Sequence, residues 1–293
     1  MKPTAGPDLH GPATEVLAGA RFVPVTSGRR SRVWRATFAD DRADLAVKTP
    51  ATALVADPAG TGGGTRDEAV ALIHAEAKRL VWVTEHLAGR GLGLPGAVSV
   101  PEFDDPDPIL VTTWLEGTVD PRLMRSPEIA VESFARALAS LHEASRRIDL
   151  DDCPFDAGLD SRIAEAAARI DAGLVDTSRL DDPYDHYTPG ELLDRVRQMA
   201  DATNPPAPED RVLLHGDLCV SNVVFDPAYS TTVGAVDWAF AGVGDRHQDL
   251  AITARSLARN LSGEVLPDFF STYGLAEPDL LRIETYVALE ELF

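Results

Sequence analysis

Cysteine is almost absent from this chain of 293 residues: only Cys153 and Cys219 occur, far apart. That excludes a disulfide framework and offers no metal-ligand spacing. Cysteines used so sparingly make a reducing cytoplasm the expected compartment, and the first residues, with no apolar stretch, do not read as a signal peptide. No apolar run approaches the length of a membrane span. Positive charge is also short. Lys and Arg total 27 against 47 Asp and Glu, a net charge of -20, and the lysines are just Lys2, Lys48 and Lys78. A chain this acidic is a poor partner for nucleic acid, whose phosphates need cations. It suits a cationic ligand, although surface carboxylates also serve solubility alone. What remains is ordinary: 44% hydrophobic and 25% charged residues, enough chain for one large two-lobed unit or two modest domains.

The most informative stretch is LLHGDLCVSNVVFD, residues 213–226. It reads as a short apolar strand, a polar loop and a second apolar strand. The loop carries His215, Asp217 and Asn222, and Asp237 follows at the end of another apolar run, in GAVDWAF. Kinase catalytic loops have this layout. One Asp takes the proton of the attacking hydroxyl, an Asn five residues on binds magnesium, and a later Asp at a strand end binds the same metal. His-Gly-Asp alone is a weak signal that a β-turn explains. The full spacing is much stronger. On this reading Asp217 is the catalytic base, Asn222 and Asp237 are Mg²⁺ ligands, and His215 supports the loop.

Upstream, RFVPV (21–25), VWRATF (33–38) and DLAVK (44–48) predict three strands. Ser27, Gly28 and Ser31 lie in the first turn, where backbone N–H and hydroxyl groups suit nucleotide phosphates. Lys48 ends the third strand and would point at those phosphates, given an acidic partner. Apolar residues at helical spacing over 66–89 predict a helix, and Glu76 stands beside its apolar stripe, placed to be that partner. GTGGGT, between strand and helix, lacks the Lys-Ser/Thr ending of a P-loop and reads as a flexible insertion. ILVTTW predicts another strand, with Thr113 and Leu115 at the crossing into the second half. The first twenty residues, rich in Pro and Gly, are expected to pack loosely. The rest reads as helical, with starts near Ser126, Ser161 and Pro189. The last helix ends on Glu290, Glu291 and Phe293, with negative charge where the helix dipole disfavours it. The usual expectation for such an end is fraying, and a bound cation would compensate its charge.

The chain resembles the aminoglycoside phosphotransferases, most closely the 3'-phosphotransferase (kanamycin kinase) group. The residues that carry the resemblance are EAKRLVWV (76–83), CPFD (153–156), AGLVD (172–176), LDD (180–182), HGDLCVSN (215–222), GVGDRHQDLA (242–251), YGLAEPD (273–279) and EELF (290–293). It implies an α+β, bilobal, protein-kinase-like fold. A small antiparallel-sheet lobe with one helix, residues 1–113, would bind nucleotide, and a larger, mainly helical lobe, 114–293, would bind the acceptor. It implies transfer of the γ-phosphate of ATP or GTP, with Mg²⁺, to a hydroxyl of an aminoglycoside, the 3'-hydroxyl first. The alternative is a kinase of the same fold acting on another small hydroxylated molecule. Carried over, Lys48 and Glu76 become the phosphate-positioning pair. Asp181, Asp182, Glu290, Glu291 and the carboxylate of Phe293 become the groups that bind a polycationic drug, with Arg255 nearby. The chain departs from its relatives at Ser221, where several have Pro, and at Phe240, where an Arg is usual. It also departs at Ser256, Arg259 and Asn260, where relatives tend to be acidic, at Arg179 in an acidic loop, and in the Gly-rich insertion at 60–64.

Overall fold

The structure, a computed structural model, describes residues 6–27, 30–51, 65–90, 92–120, 126–226, 228 and 231–293. The chain divides into two compact units: Met1–Glu85 with Pro95–Leu115, and His86–Leu94 with Glu116–Phe293. His86–Leu94 goes with the second unit, where the Gly93 carbonyl accepts a hydrogen bond from the Ala235 amide at 3.1 Å. No described helix is long and apolar enough to cross a membrane.

The first unit is a five-stranded antiparallel sheet in the order β1-β2-β3-β5-β4. Its strands are β1 (Arg21–Ser27), β2 (Ser31–Thr37), β3 (Leu45–Pro50), β4 (Ala97–Ser99) and β5 (Leu110–Thr113). Period-two alternation sorts the side chains onto two faces. Trp34, Ala36, Leu45, Val47 and Val111 form one buried face. Against it packs α1 (Pro12–Val16), which the sequence pattern did not reveal: Ala13 and Leu17 are buried in this core, so the chain start from Ala13 is not loose. On the other face Lys48 pairs in register with Leu110, and Leu110 packs with Ile73 and Ala77 of α2 (Arg66–Leu87). That packing brings Glu76, on the same stretch of α2, to Lys48.

The second unit carries two small antiparallel ladders. β6 (Arg211–Leu214) pairs with β9 (Gly242–Asp245), and β7 (Val223–Asp226) with β8 (Thr231–Ala235). Its helices are α3 (Pro127–Ser145), α4 (Leu159–Asp171), α5 (Pro189–Ala202), α6 (His247–Asn260), α7 (Leu266–Tyr273) and α8 (Leu280–Glu290). Helix starts follow local chemistry. The Ser126 hydroxyl accepts from the Ile129 amide, and Thr188 with Glu191 makes a reciprocal capping box. α4, α5 and α8 meet in a core of Ala166, Leu192, Val196, Tyr286 and Leu289. Leu292 is fully buried in that core, so the end of α8 is anchored rather than frayed. Burying it contributes about 2 kcal/mol.

Candidate active site

The loop between β6 and β7 is held in one conformation by named contacts. Gly216 sits at φ +83, and a Cβ there would lie 2.2 Å from the carbonyl oxygen of Phe240, so only glycine fits. His215 is fully buried, its ring 4.4 Å from that of Trp238. The Asp217 amide donates to its Nδ1 at 3.3 Å, which fixes the tautomer, and Nε2–H donates to the Val236 carbonyl at 2.9 Å. The Val236 amide in turn donates to the Asn222 carbonyl at 2.9 Å. His215 thus ties the loop to the segment before Asp237, the structural role expected for it.

Asn222 Nδ2 donates to the backbone carbonyl of Asp217 at 2.8 Å and to its Oδ2 at 3.0 Å. The amide nitrogen is committed to Asp217, which leaves Oδ1 as the atom able to act as a ligand. Asp237, half-buried, has φ +66 and is the one non-glycine residue of positive φ among the described residues. Such conformations cost energy and persist where surroundings dictate them. Burial raises the Asp217 carboxyl to about 7, helped by the charges of Glu290 and Asp237 and opposed by the Asn222 hydrogen bond. A proton acceptor near neutrality is what general base catalysis needs. Asn222 Oδ1 and the Asp237 carboxylate are hard oxygen donors beside surplus negative charge, so they fit Mg²⁺.

Helix α6 supports this loop through one face, which the sequence reading did not assemble. Asp249 is fully buried and accepts from the amides of His215 and Gly216, both at 2.9 Å, and from His142 Nε2 at 3.2 Å. One turn on, Thr253 Oγ1 donates to the Leu218 carbonyl at 2.8 Å, and Ser256 Oγ accepts from the Val220 amide at 2.9 Å. The steps of four and three, written in the sequence as Asp-Thr-Ser, were the available signal. Asp245, two residues ahead of α6, accepts from the amide and Nδ1 of His247 at 2.9 and 2.7 Å and so ties down the first residue of the helix. Its neighbour Asp210 is neutralised by Arg246 at 2.7 Å and Arg282 at 3.2 Å.

In the first unit, Lys48 Nζ donates to Glu76 Oε2 at 2.6 Å, with 14% and 6% of the side chains exposed. Ser31 opens β2, opposite Pro50. Ser27 closes β1, and Gly28 and the insertion at 60–64 lie outside the described residues. Thr113 ends β5, with its amide on the Gly96 carbonyl at 2.9 Å, and Leu115 follows, half-buried.

The residues expected to meet the acceptor are joined, but largely to the chain's own arginines. Arg255 donates to Asp181 at 2.9 Å and pairs with Glu291. Arg259 also pairs with Asp181, and Glu291 accepts from the Asp181 amide at 3.0 Å. Arg162 of α4 pairs with Glu290 at 3.0 Å and with Glu165 at 2.9 Å, its guanidinium 3.7 Å from the centre of the Phe293 ring. Arg169 donates to the Leu292 and Phe293 carbonyls at 3.1 and 3.2 Å. The cations that offset the end of α8 therefore come from α4 and α6 of the chain itself. Nothing in the pattern of the sequence marked Arg162 or Arg169. Asp182 is exposed.

The chain has relatives among known proteins, and the fold has counterparts among solved structures. A 33% identical relative over 228 residues is an aminoglycoside 3'-phosphotransferase of Streptomyces fradiae, covering 75% of this chain and 80% of the relative. A streptomycin 3''-kinase of Streptomyces griseus is 29% identical over 227 residues, covering 75% and 79%. Among solved structures, an aminoglycoside-3'-phosphotransferase of type VIII superposes with a TM-score of 0.70 at 28% identity over 94% of both chains. An aminoglycoside phosphotransferase from Streptomyces rimosus, in complex with ADP and streptomycin, gives 0.68 at 25% identity over 96% of both. The fold is thus the α+β, kinase-like one. Residues 21–286, from the first strand to the middle of α8, match the model of the phosphotransferase enzyme family (APH), and the chain belongs to that family.

Proposed function

We propose that this phosphotransferase moves the γ-phosphate of ATP or GTP to a hydroxyl of an aminoglycoside, the 3'-hydroxyl first, and so inactivates the antibiotic. The observation that carries the reading is the pairing of Asp217 with Asn222 in a buried loop, Asp237 tied in beside it through Val236 and His215. Asp217 orients the acceptor hydroxyl and takes its proton as the oxygen attacks phosphorus and the bond to the nucleotide diphosphate breaks. Asn222 holds the Asp217 carboxylate in place and, with Asp237, would supply the oxygens that hold Mg²⁺, whose charge would offset that of the phosphoryl group. The Lys48 ammonium, fixed by Glu76, positions the nucleotide phosphates. Similarity to proteins named as aminoglycoside 3'-phosphotransferases supports the acceptor class. The two cysteines, Cys153 and Cys219, both half-buried and in no disulfide, fit a reducing cytoplasm.

The test is Mg²⁺-dependent turnover of ATP and GTP against kanamycin, neomycin, streptomycin and unrelated hydroxylated antibiotics, with the phosphorylated position assigned by NMR. Asp217→Ala is expected to lower turnover by about 10³-fold while nucleotide binding stays within about twofold. Phosphorylation confined to non-aminoglycosides, or full activity in Asp217→Ala, would sink the proposal.

A further inference from the structure

The chain carries a large acidic surplus, yet the carboxylates beside the candidate base are neutralised locally. α6 is the connecting element. Asp249, Thr253 and Ser256 on one face hold the catalytic loop, while from the neighbouring positions Arg255 reaches both Asp181 and Glu291 and Arg259 reaches Asp181. Arg162, paired with Glu290, lies 5.8 Å from the ring centre of Phe240, whose carbonyl crowds Gly216. The Glu290 charge is felt at Asp217. Asp181, Glu290 and Glu291 each therefore have a guanidinium partner, and the cluster adjoins the place where the acceptor hydroxyl must sit.

We infer that Arg255 and Arg259 determine acceptor selectivity: they occupy Asp181 and Glu291 as built-in counter-cations, so the site admits hydroxyl-rich aminoglycosides of low positive charge and disfavours densely ammonium-bearing ones. The inference rests on the aminoglycoside reading above. An ammonium group that approaches Asp181 must displace a guanidinium already hydrogen-bonded there, or meet its repulsion. A hydroxyl meets neither cost, because it can accept from the guanidinium and donate to the carboxylate. Arg259 is the more adjustable of the two, with half its side chain exposed against 21% for Arg255. Overall charge still draws cations toward the molecule; the local pairs decide which are kept.

The experiment measures binding by calorimetry, so it does not depend on turnover. The full chain and its Arg259→Glu and Arg259→Ala variants are titrated with two kanamycin-type acceptors that carry a hydroxyl or an amino group at a single position. Wild type is expected to favour the hydroxyl compound. Arg259→Glu is expected to shift the ratio toward the amino compound by about tenfold and to steepen the salt dependence, with Arg259→Ala intermediate. Binding with an unchanged ratio in Arg259→Glu, or a wild type that binds both compounds equally or prefers the amino one, overturns this inference alone. No binding of either compound by any of the three proteins overturns it together with the aminoglycoside reading.

Discussion

Replacing Asp249 with Asn tests how the catalytic loop is held. Both carboxylate oxygens are used, one by the Gly216 amide and the other by the His215 amide and His142. An Asn keeps one acceptor oxygen and turns the other position into an NH₂ that faces a donor. At least one charge-assisted hydrogen bond is lost and a buried N–H is left unsatisfied, for a cost of about 3 kcal/mol. That is a large share of a stability of about 5–15 kcal/mol. Loss of the anchor also lets Asp217 drift, and a misplacement of about 1 Å costs about 10²-fold in rate. Urea unfolding should show a lower midpoint at an unchanged slope, and kcat should fall with little change in nucleotide KM. Burial alone would raise the Asp249 carboxyl, but the hydrogen bonds from His142 and the His215 backbone hold it below its usual 3.8. A depressed pKa contributes stability that is complete above the unfolded value and is lost as pH falls through the folded one. The penalty of Asp249→Asn should therefore be constant from about pH 8 to pH 5 and narrow only below 3.8. An Asn variant as stable and as active as wild type would refute the reasoning.

Three further outcomes follow from the same geometry. Lys48→Met removes the ammonium from the buried Glu76 carboxylate, so it should destabilise by about 3 kcal/mol as well as slow turnover; Lys48→Met combined with Glu76→Leu should recover stability but not activity. Gly216→Ala forces a Cβ against the Phe240 carbonyl at positive φ, and should cost about 2 kcal/mol or more in urea unfolding and most of the activity; a neutral result would mean the loop is plastic. Burial, with the Asp217 charge, pushes the Cys219 thiol up to about 11, so iodoacetamide should label it slowly at pH 7 and about tenfold faster per pH unit thereafter, against rapid labelling in urea.

Legibility in the sequence followed the range of the interaction. Asp217 and Asn222 are five residues apart on one loop, and their hydrogen bond is a property of that loop, so spacing was enough to bring them together. Lys48 and Glu76 are 28 apart, yet strand alternation and helical periodicity each fixed a face, and two fixed faces make a pair. The residue-level partners of Asp249 lie 34 and 107 positions away, in a loop and a helix whose packing no local pattern encodes. α1 was hidden for a different reason: a five-residue helix is too short to show a period.

The acceptor side shows why a composition argument reaches only so far. A net charge of -20 is a property of the whole molecule and governs long-range steering, which falls off over about 10 Å in salt. What an ammonium group meets on arrival depends on which carboxylates already have partners. Those partners join positions 74, 36 and 128 residues apart: Arg255 with Asp181, Arg255 with Glu291, and Arg162 with Glu290. Carboxylates near the end of α8 looked, in the sequence, like groups waiting for a cation. The fold supplies that cation from α4 and α6, so these acidic residues cannot be counted as vacant ligands, and Arg259 rather than the total charge becomes the position at which selectivity can be changed.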